Sequence, residues 1–212
     1  VQDLAAQLVG AMADIEGKPR VLDACAGVGG KTTHFAECAP DAHIDALDLS
    51  PKKIELLKAS IDRLGLRSVH PLLLDATRKD KRIAGDYDLV VLDAPCSGLG
   101  VLRRHPEQKW ASGRQDTQKL VDLQKQLLEA LSERVKVGGH LLYSVCTFTQ
   151  AEGPKQIQAF LERHPEFEMA PPTEGPHTPA WGELLSEDGS FESWPHQSGM
   201  DAFYAARLRR LR

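Results

Sequence analysis

The chain has 212 residues, 42% of them hydrophobic, which suits one α/β unit with a core of ordinary size. Its formal net charge of −4 argues against a dedicated nucleic-acid-binding module. Cys25, Cys38, Cys96 and Cys146 form no C-x-x-C pair and no zinc spacing with histidine, and no apolar run is long enough to predict a membrane span. A protein of the reducing cytoplasm, without metal or membrane, is therefore expected. The opening at Val1 on a helical pattern, with no initiator methionine, reads as a fragment of a longer protein. Basic residues bunch at Arg103, Arg104, Lys109 and Arg114 and again at Arg207, Arg209, Arg210 and Arg212, a pattern read first as solvated surface.

Asp3 is placed to cap a helix whose Leu4, Leu8, Val9 and Met12 share a face. Arg20 to Ala24 reads as a buried strand that runs into a glycine cluster, and a helix follows from Lys31 to Cys38. The next strand is His43 to Leu47. Ser50-Pro51 then starts a helix carrying Ile54, Leu57, Ile61 and Leu64, which Gly65 stops. Val69 to Leu74 and Tyr87 to Leu92 are the third and fourth strands. The segment 95–116, rich in charge, Gly and Pro, predicts a long functional loop. A helix from Thr117 to Val135, ended by Gly138-Gly139, leads to a fifth strand, His140 to Val145. A helix over Glu152 to Arg163 and a last strand, Phe203 to Leu208, complete the order. This alternation predicts a doubly wound, mainly parallel sheet, whose ligands lie at the carboxyl ends of the strands. Asp23, Asp48, Asp75, Asp93 and Cys146 all fall at those ends.

The turn Asp23-Ala24-Cys25-Ala26-Gly27-Val28-Gly29-Gly30-Lys31-Thr32 joins the first strand to its helix. Glycines let backbone approach a ligand, and the helix start offers free N–H groups. Three ligands compete for such a turn. A P-loop needs glycine where Cys25 stands, although Gly30-Lys31-Thr32 matches its end and Leu89 to Asp93 resembles a Walker B strand. A dinucleotide fingerprint would need a third glycine where Thr32 stands. An S-adenosylmethionine site asks for an acidic-glycine turn, a ribose carboxylate and an adenine contact, and Asp23, Asp48 and Asp75 fill those places in order.

Leu92-Asp93-Ala94-Pro95-Cys96 and Ser144-Val145-Cys146-Thr147 put a cysteine after the fourth and after the fifth strand. Methyltransferases of exocyclic amines carry Asp/Asn-Pro-Pro-aromatic at the first of these places. Here no aromatic residue is present to stack a base, and a thiol stands instead. Carbon 5 of cytosine resists alkylation until a thiolate has added at carbon 6, so a cysteine beside a methyl donor points to carbon as the acceptor. In DNA cytosine-C5 enzymes the Pro-Cys cysteine is the nucleophile, so Cys96 alone leaves the assignment open. The free-thiol pKa of roughly 8.5 means that either cysteine needs help to ionise.

With both cysteines counted, the chain resembles the Sun/Fmu-type RNA cytosine-C5 methyltransferases, in particular their bacterial small-subunit ribosomal RNA members. The landmarks are Val1-Gln2-Asp3, Val21 to Thr33, Asp48, Leu92 to Gly98, Arg103-Arg104-His105-Pro106, Lys109-Trp110 and Tyr143 to Thr147. The resemblance implies a class I S-adenosylmethionine-dependent (Rossmann-like) catalytic domain over 1–212, with a leading helix in 1–16 and a core over 17–212. An N-terminal RNA-binding domain of those proteins is expected to be missing from this sequence. It also implies that Cys146 supplies the thiolate and that Cys96 assists product release. Cys25, Ala26, Gly27, Val28, Gly29, Gly30, Lys31, Asp48, Asp75 and Asp93 would line the cofactor site. Asp93, protonated or water-linked, would meet the N3/N4 edge of the base, and Lys31 would border the carboxylate end of the methyl donor. Arg103, Arg104, Lys109 and Arg114 become candidates for RNA phosphate in this setting. Trp110 is expected to anchor the loop, His105 to be structural, Cys25 to pack the turn and Cys38 to be buried and inert. The expected partner is unpaired or flipped RNA, small-subunit ribosomal RNA first and transfer RNA second, bound by a monomer. A P-loop ATPase and a non-catalytic RNA scaffold are the rivals from other classes. Val28, Val145 and Thr147, where the family has Pro, Thr and Ser, leave every reacting group in place; so do Glu152-Gly153 for Glu-Asn and Met200-Asp201-Ala202 for Gly-Asp-Gly.

Overall fold

The computed structural model describes residues 2–83, 85–111, 114–173 and 179–212. Helix α1 (Leu4–Ala11) is capped by Asp3, whose Oδ1 accepts the Ala5 N–H at 3.0 Å. Its buried face is built from Ala5, Ala6, Val9 and the following Met12, while Leu4 stays 55% exposed. Of the expected face, Val9 and Met12 are buried and Leu8 packs against the core, while Ala5 and Ala6 are buried where Leu4 is not.

Strands β1 (Arg20–Asp23), β2 (His43–Asp48), β3 (Val69–Leu73), β4 (Tyr87–Asp93) and β5 (Val135–Val145) form the parallel part of the sheet, in the order β3-β2-β1-β4-β5. Helices α2 (Gly30–Cys38) and α3 (Pro51–Leu64) make the first two crossovers. Ser50 caps α3, and Gly65 ends it at a φ of +66°. Val90, Val91, Leu92, Leu141 and Leu142 are wholly buried, as strands covered on both faces must be. Each such side chain contributes about 1.5–3 kcal/mol, so the central strands hold the residues at their ends firmly.

The second half departs from expectation in several places. The segment 95–116 is not one loop: it holds a 3-10 turn at Leu99–Val101 and a short helix α4 (Gln108–Ala111), and α5 (Arg114–Ser132) already starts within it. Helix α5 stops at Ser132, and Gly138-Gly139 lie inside β5 rather than at a helix end. Gly138 has φ +80°, and the β4–β5 register slips between Tyr87 and Leu89, so the pair marks an irregularity of the strand. Helix α6 spans Pro154–Arg163, leaving Glu152 in the turn before it.

Beyond β5 the sheet turns antiparallel. Strand β8 (Phe203–Arg210) returns along β5 and also pairs with two three-residue strands, β6 (Phe167–Met169) and β7 (Phe191–Ser193); a short helix α7 (Pro195–Ser198) precedes it. Arg207, read as solvated surface, is buried in β8, where Ala170 O accepts from its Nη1. No described helix is long and apolar enough to cross a membrane.

Candidate active site

Strands β4 and β5 lie side by side in parallel, with Asp93 opposite Ser144. The chain therefore leaves both strands at one point, and the two cysteines that follow meet there. Cys96 Sγ and Cys146 Sγ are 3.3 Å apart. One proton shared across such a pair favours one thiolate and one thiol. Either sulfur can be the donor in this contact; donation by the Cys96 S–H holds the Cys146 thiol below its ordinary range, with Lys31 pulling the same way against burial and Asp93. Cys96 is pushed up by that same donation and by burial, and keeps its proton. Of the two sulfurs, Cys146 is thus the more readily ionised.

Beside the thiols, Lys31 Nζ donates to Asp93 Oδ2 at 2.5 Å, and Ser144 Oγ donates to Asp93 Oδ1 at 2.7 Å. Lys31 Nζ also lies 5.6 Å from the centre of the Phe203 ring. The sequence reading put Lys31 at the donor's carboxylate end; in the fold its ammonium reaches across to Asp93, in the active-site mouth. A P-loop lysine would be aimed at phosphates instead, so this ion pair disfavours the ATPase reading. Asp93 acts as an acceptor in both contacts.

The glycine turn wraps the neighbouring strand ends. Gly27 and Gly29 take φ of +60° and +94°, and a side chain at Gly29 would meet Leu57 Cδ1 at 2.4 Å, so glycine is required there twice over. Gly27 N–H donates to Asp48 Oδ2 at 3.1 Å and Ser50 N–H to Asp48 Oδ1 at 2.8 Å, which orients the carboxylate and leaves further lone pairs on it. Asp75 accepts from Thr77 N–H and Oγ1–H, which with Arg78 hold its carboxyl below the usual range. A cavity of about 230 Å³ lies between Asp48, Asp75 and the apolar Leu49, Leu74, Pro95 and Leu127. A second, of about 320 Å³, is lined by Asp23, Gly27, Val28, Gly30 and Lys31; Cys25, Lys53 and Asp93 border both. Together they make an elongated cleft with one apolar and one polar end. A larger depression of about 960 Å³ lies beside α5 among side chains already paired, such as Lys79 with Glu133 and His164 with Glu129. Its lining includes neither thiol, and it is a charged surface trough away from the strand ends that carry the chemistry.

Two groups in the turn are held out of their usual range by burial. The Cys25 thiol is pushed up to about 12, first by burial and then by Asp23 and Asp93, which fits packing and not reactivity. Asp23 is wholly buried against Thr32 Oγ1–H, and burial raises its carboxyl to about 6. A carboxyl raised in the folded state favours folding below its unfolded pKa of about 3.9 and loses that contribution as pH climbs through about 6. Asp23→Asn is therefore expected to stabilise the chain at pH 7.5 by about 1–3 kcal/mol, with the gain vanishing near pH 4. Urea unfolding at the two pH values measures this, and equal stability of both proteins at pH 7.5 would refute it.

Comparison with known proteins sets these features in a family. The family described as 16S rRNA methyltransferase RsmB/F matches residues 11–209. The chain belongs to the RsmB/F family. It is 35% identical over 212 residues to the "Probable ribosomal RNA small subunit methyltransferase B" of Bacillus subtilis, covering 99% of this chain and 47% of that protein. To the ribosomal RNA small subunit methyltransferase B of Yersinia pseudotuberculosis it is 37% identical over 210 residues, covering 98% and 46%. The chain thus spans about half the length of the curated relatives it matches. Among solved structures, PH0851 superposes with a TM-score of 0.90 at 33% identity, over 99% of this chain and 46% of that one. A methyltransferase homolog protein from Pyrococcus horikoshii gives 0.82 at 26%, over 99% and 67%. The fold is that of the class I methyltransferases.

Within this RsmB/F chain the remaining candidates take distinct places. Arg104 Nε donates to Asp201 Oδ2 at 2.7 Å, and Arg103 bridges Asp3 and Asp201 at 3.1 and 3.4 Å. Both arginines are held by carboxylates, yet their side chains remain 52% and 40% exposed. Lys109 is exposed, its Nζ 5.4 Å from the centre of the Trp110 ring. Arg114 opens α5, and its side chain lies outside the described residues. Trp110 is 84% exposed and anchors nothing among the described residues. His105 is half exposed and meets a neighbouring carboxylate, Glu107, at 3.1 Å. Cys38, expected to be buried, is exposed at the end of α2, with His34 Nε2 3.8 Å from its sulfur. Ser144 and Glu152 were missed. Ser144 was legible as a hydroxyl two residues before Cys146; Glu152 had no signal beyond its pairing with Gly153.

Proposed function

We propose that this chain is the catalytic part of an S-adenosylmethionine-dependent RNA cytosine-C5 methyltransferase acting on small-subunit ribosomal RNA. The observation that carries the reading is the Cys96–Cys146 thiol pair, 3.3 Å apart, beside the Lys31–Asp93 ion pair at the mouth of an elongated cleft. The cleft fits the cofactor by its chemistry. Leu49, Leu74 and Pro95 suit an adenine ring, Asp48 the two ribose hydroxyls, and Asp75 the adenine edge. Asp23 would take the ammonium, and the N–H groups that open α2 the carboxylate. Bound S-adenosylmethionine supplies an electrophilic methyl group. One catalytic unit over 1–212 is consistent with α1 packing into the same core as β1 and α2.

Cys146 thiolate adds to C6 of the cytosine, forming the S–C6 bond and moving an electron pair onto C5, which becomes the nucleophile. Asp93 accepts from the exocyclic N4 amino group, and the Lys31 ammonium donates to the N3 side, where negative charge develops. Once C5 is alkylated, its proton leaves to a base, the C5–H pair rebuilds the C5–C6 double bond, and the S–C6 pair returns to Cys146. Cys96 acts in this half: its S–H donates to the departing sulfur and stabilises the thiolate, as it does in the free site. The target base must be unpaired or flipped to reach sulfurs at the strand ends. Arg103, Arg104, Lys109 and Arg114 are proposed to hold the flanking phosphates.

Calorimetric titration tests the foundation. S-adenosylmethionine and S-adenosylhomocysteine are expected to bind in the micromolar range, and Asp48→Ala to weaken both by about tenfold or more through the lost charge-assisted contacts. Binding of Mg-ATP without either methionine-derived ligand would overturn the reading.

A further inference from the structure

A carboxylate that the reaction does not touch sits behind the thiols. Glu152 is wholly buried, with 0% of its surface exposed. Burial of a carboxylate is costly unless strong donors replace its water. Four neutral donors do so here. Ser97 N–H donates to Oε1 at 2.8 Å and Gln124 Nε2 to the same oxygen at 3.2 Å; Ser97 Oγ donates to Oε2 at 2.6 Å and Thr149 Oγ1 at 2.8 Å. No lysine or arginine among the described residues pairs with it. The donors come from the loop after β4, the loop after β5, and α5.

The positions of these donors carry the inference. Ser97 follows Cys96 and Thr147 follows Cys146. Ser97 Oγ–H is committed to Glu152, so the 2.9 Å contact between Ser97 Oγ and Thr147 Oγ1 is made by the Thr147 hydroxyl donating. The residue after each thiol is thereby tied to the other and to one carboxylate. Gln124, which donates to Glu152, also donates to Pro95 O, the residue before Cys96, at 2.9 Å. The Glu152 carbonyl in turn accepts from Tyr143 OH within β5. Past the Asp93–Ser144 register two backbone bonds still join these segments, Ala94 N–H to Ser144 O at 2.8 Å and Gly100 N–H to Cys146 O at 3.0 Å, and this network adds the side-chain ties between the residues that flank the two cysteines.

We infer that Glu152 is a positioning residue for catalysis, the buried carboxylate that sets the distance and orientation between Cys96 and Cys146. Its kinetic consequence rests on the methyltransferase reading above; its geometric consequence does not. Glu152→Gln would turn an N–H₂ group towards two of the donors, and the loops would separate.

The test reads the thiols directly. Diamide takes two electrons and both thiol protons from a close cysteine pair and leaves a disulfide, so its rate reports the Cys96–Cys146 geometry. Mass spectrometry counts the two protons lost and peptide mapping assigns the new bond to Cys96 and Cys146, with Cys38→Ser present throughout. Glu152→Gln is expected to slow this closure and to lower kcat for RNA methylation by about 10- to 100-fold, while affinity for S-adenosylmethionine holds. Thr149→Val removes one donor at constant shape and should show a smaller loss in the same two readouts, restored by Thr149→Ser; it carries the test if Glu152→Gln does not fold. A merely structural carboxylate would lower the melting temperature and leave thiol closure in the folded chain unmoved, which would overturn the inference. If closure depends on Glu152 but no RNA is methylated, the positioning role stands and the methyltransferase reading falls.

Discussion

Cys146→Ala is expected to abolish methylation, by about 10⁴-fold or more, because in the proposed mechanism its sulfur makes the bond to C6. Donor binding should persist, since the sulfur lies outside the linings of both cavities. Cys96→Ala should behave differently. The bond to C6 still forms, but the departing sulfur loses its S–H donor, and a covalent RNA–protein species should accumulate on a denaturing gel. Accumulation in Cys146→Ala instead would exchange the two roles. Iodoacetamide gives an independent check without RNA. With its thiol held low by the Cys96 S–H, Cys146 should be alkylated first at neutral pH, and Cys96→Ala should slow that alkylation.

Gly100→Ala is expected to have the largest structural effect of any single-methyl addition at this site. A Cβ at position 100 would lie 2.0 Å from Ala202 O and 2.8 Å from Cys146 O, and both are main-chain atoms that cannot rotate away. Gly100 N–H donates to Cys146 O at 3.0 Å, and Ala202 N–H donates to Gly100 O at 3.0 Å, so the added carbon would push apart the strand ends that frame the nucleophile. A cost of about 3 kcal/mol follows, equivalent to a fall of about 10 °C in Tm for a domain of this size. Thermal unfolding measures it. A variant that melts with the parent and closes its thiols normally would contradict this packing.

The parallel half of the fold was legible because fully buried strands leave continuous apolar runs, such as Leu89 to Leu92, and because caps such as Ser50 and Gly65 punctuate the helices. The strand-end carboxylates followed from that alternation alone. What escaped had either no length or no local cause. Three residues in β6 or β7 cannot display a period of two, and Gly138-Gly139 reads alike as a helix stop or a strand irregularity. Trp110 looked like an anchor only because large aromatics usually are. The site was half legible: both thiols were visible, but their 3.3 Å separation depends on the register of Asp93 against Ser144 across fifty-one residues. Lys31 and Asp93, sixty-two residues apart, meet for the same reason. Glu152 was invisible because its importance lies in four donors from three elements, none of which marks it in the sequence.

Strand β8 has a consequence for how the molecule is made. Its approach carries Asp201, which receives Arg103 and Arg104 and donates its own N–H to Asp3 at 3.1 Å, so the last strand joins both the arginine segment and the first helix. Phe203 then lies beside the Lys31 ammonium. A ribosome delivers residues in order, and both sulfurs, the glycine turn and every strand-end carboxylate emerge before any of β8. Until β8 slides in antiparallel to β5, the growing polypeptide carries all its reacting groups with one wall of their chamber still unsynthesised. Competence for chemistry therefore waits until β8 has been made and has docked.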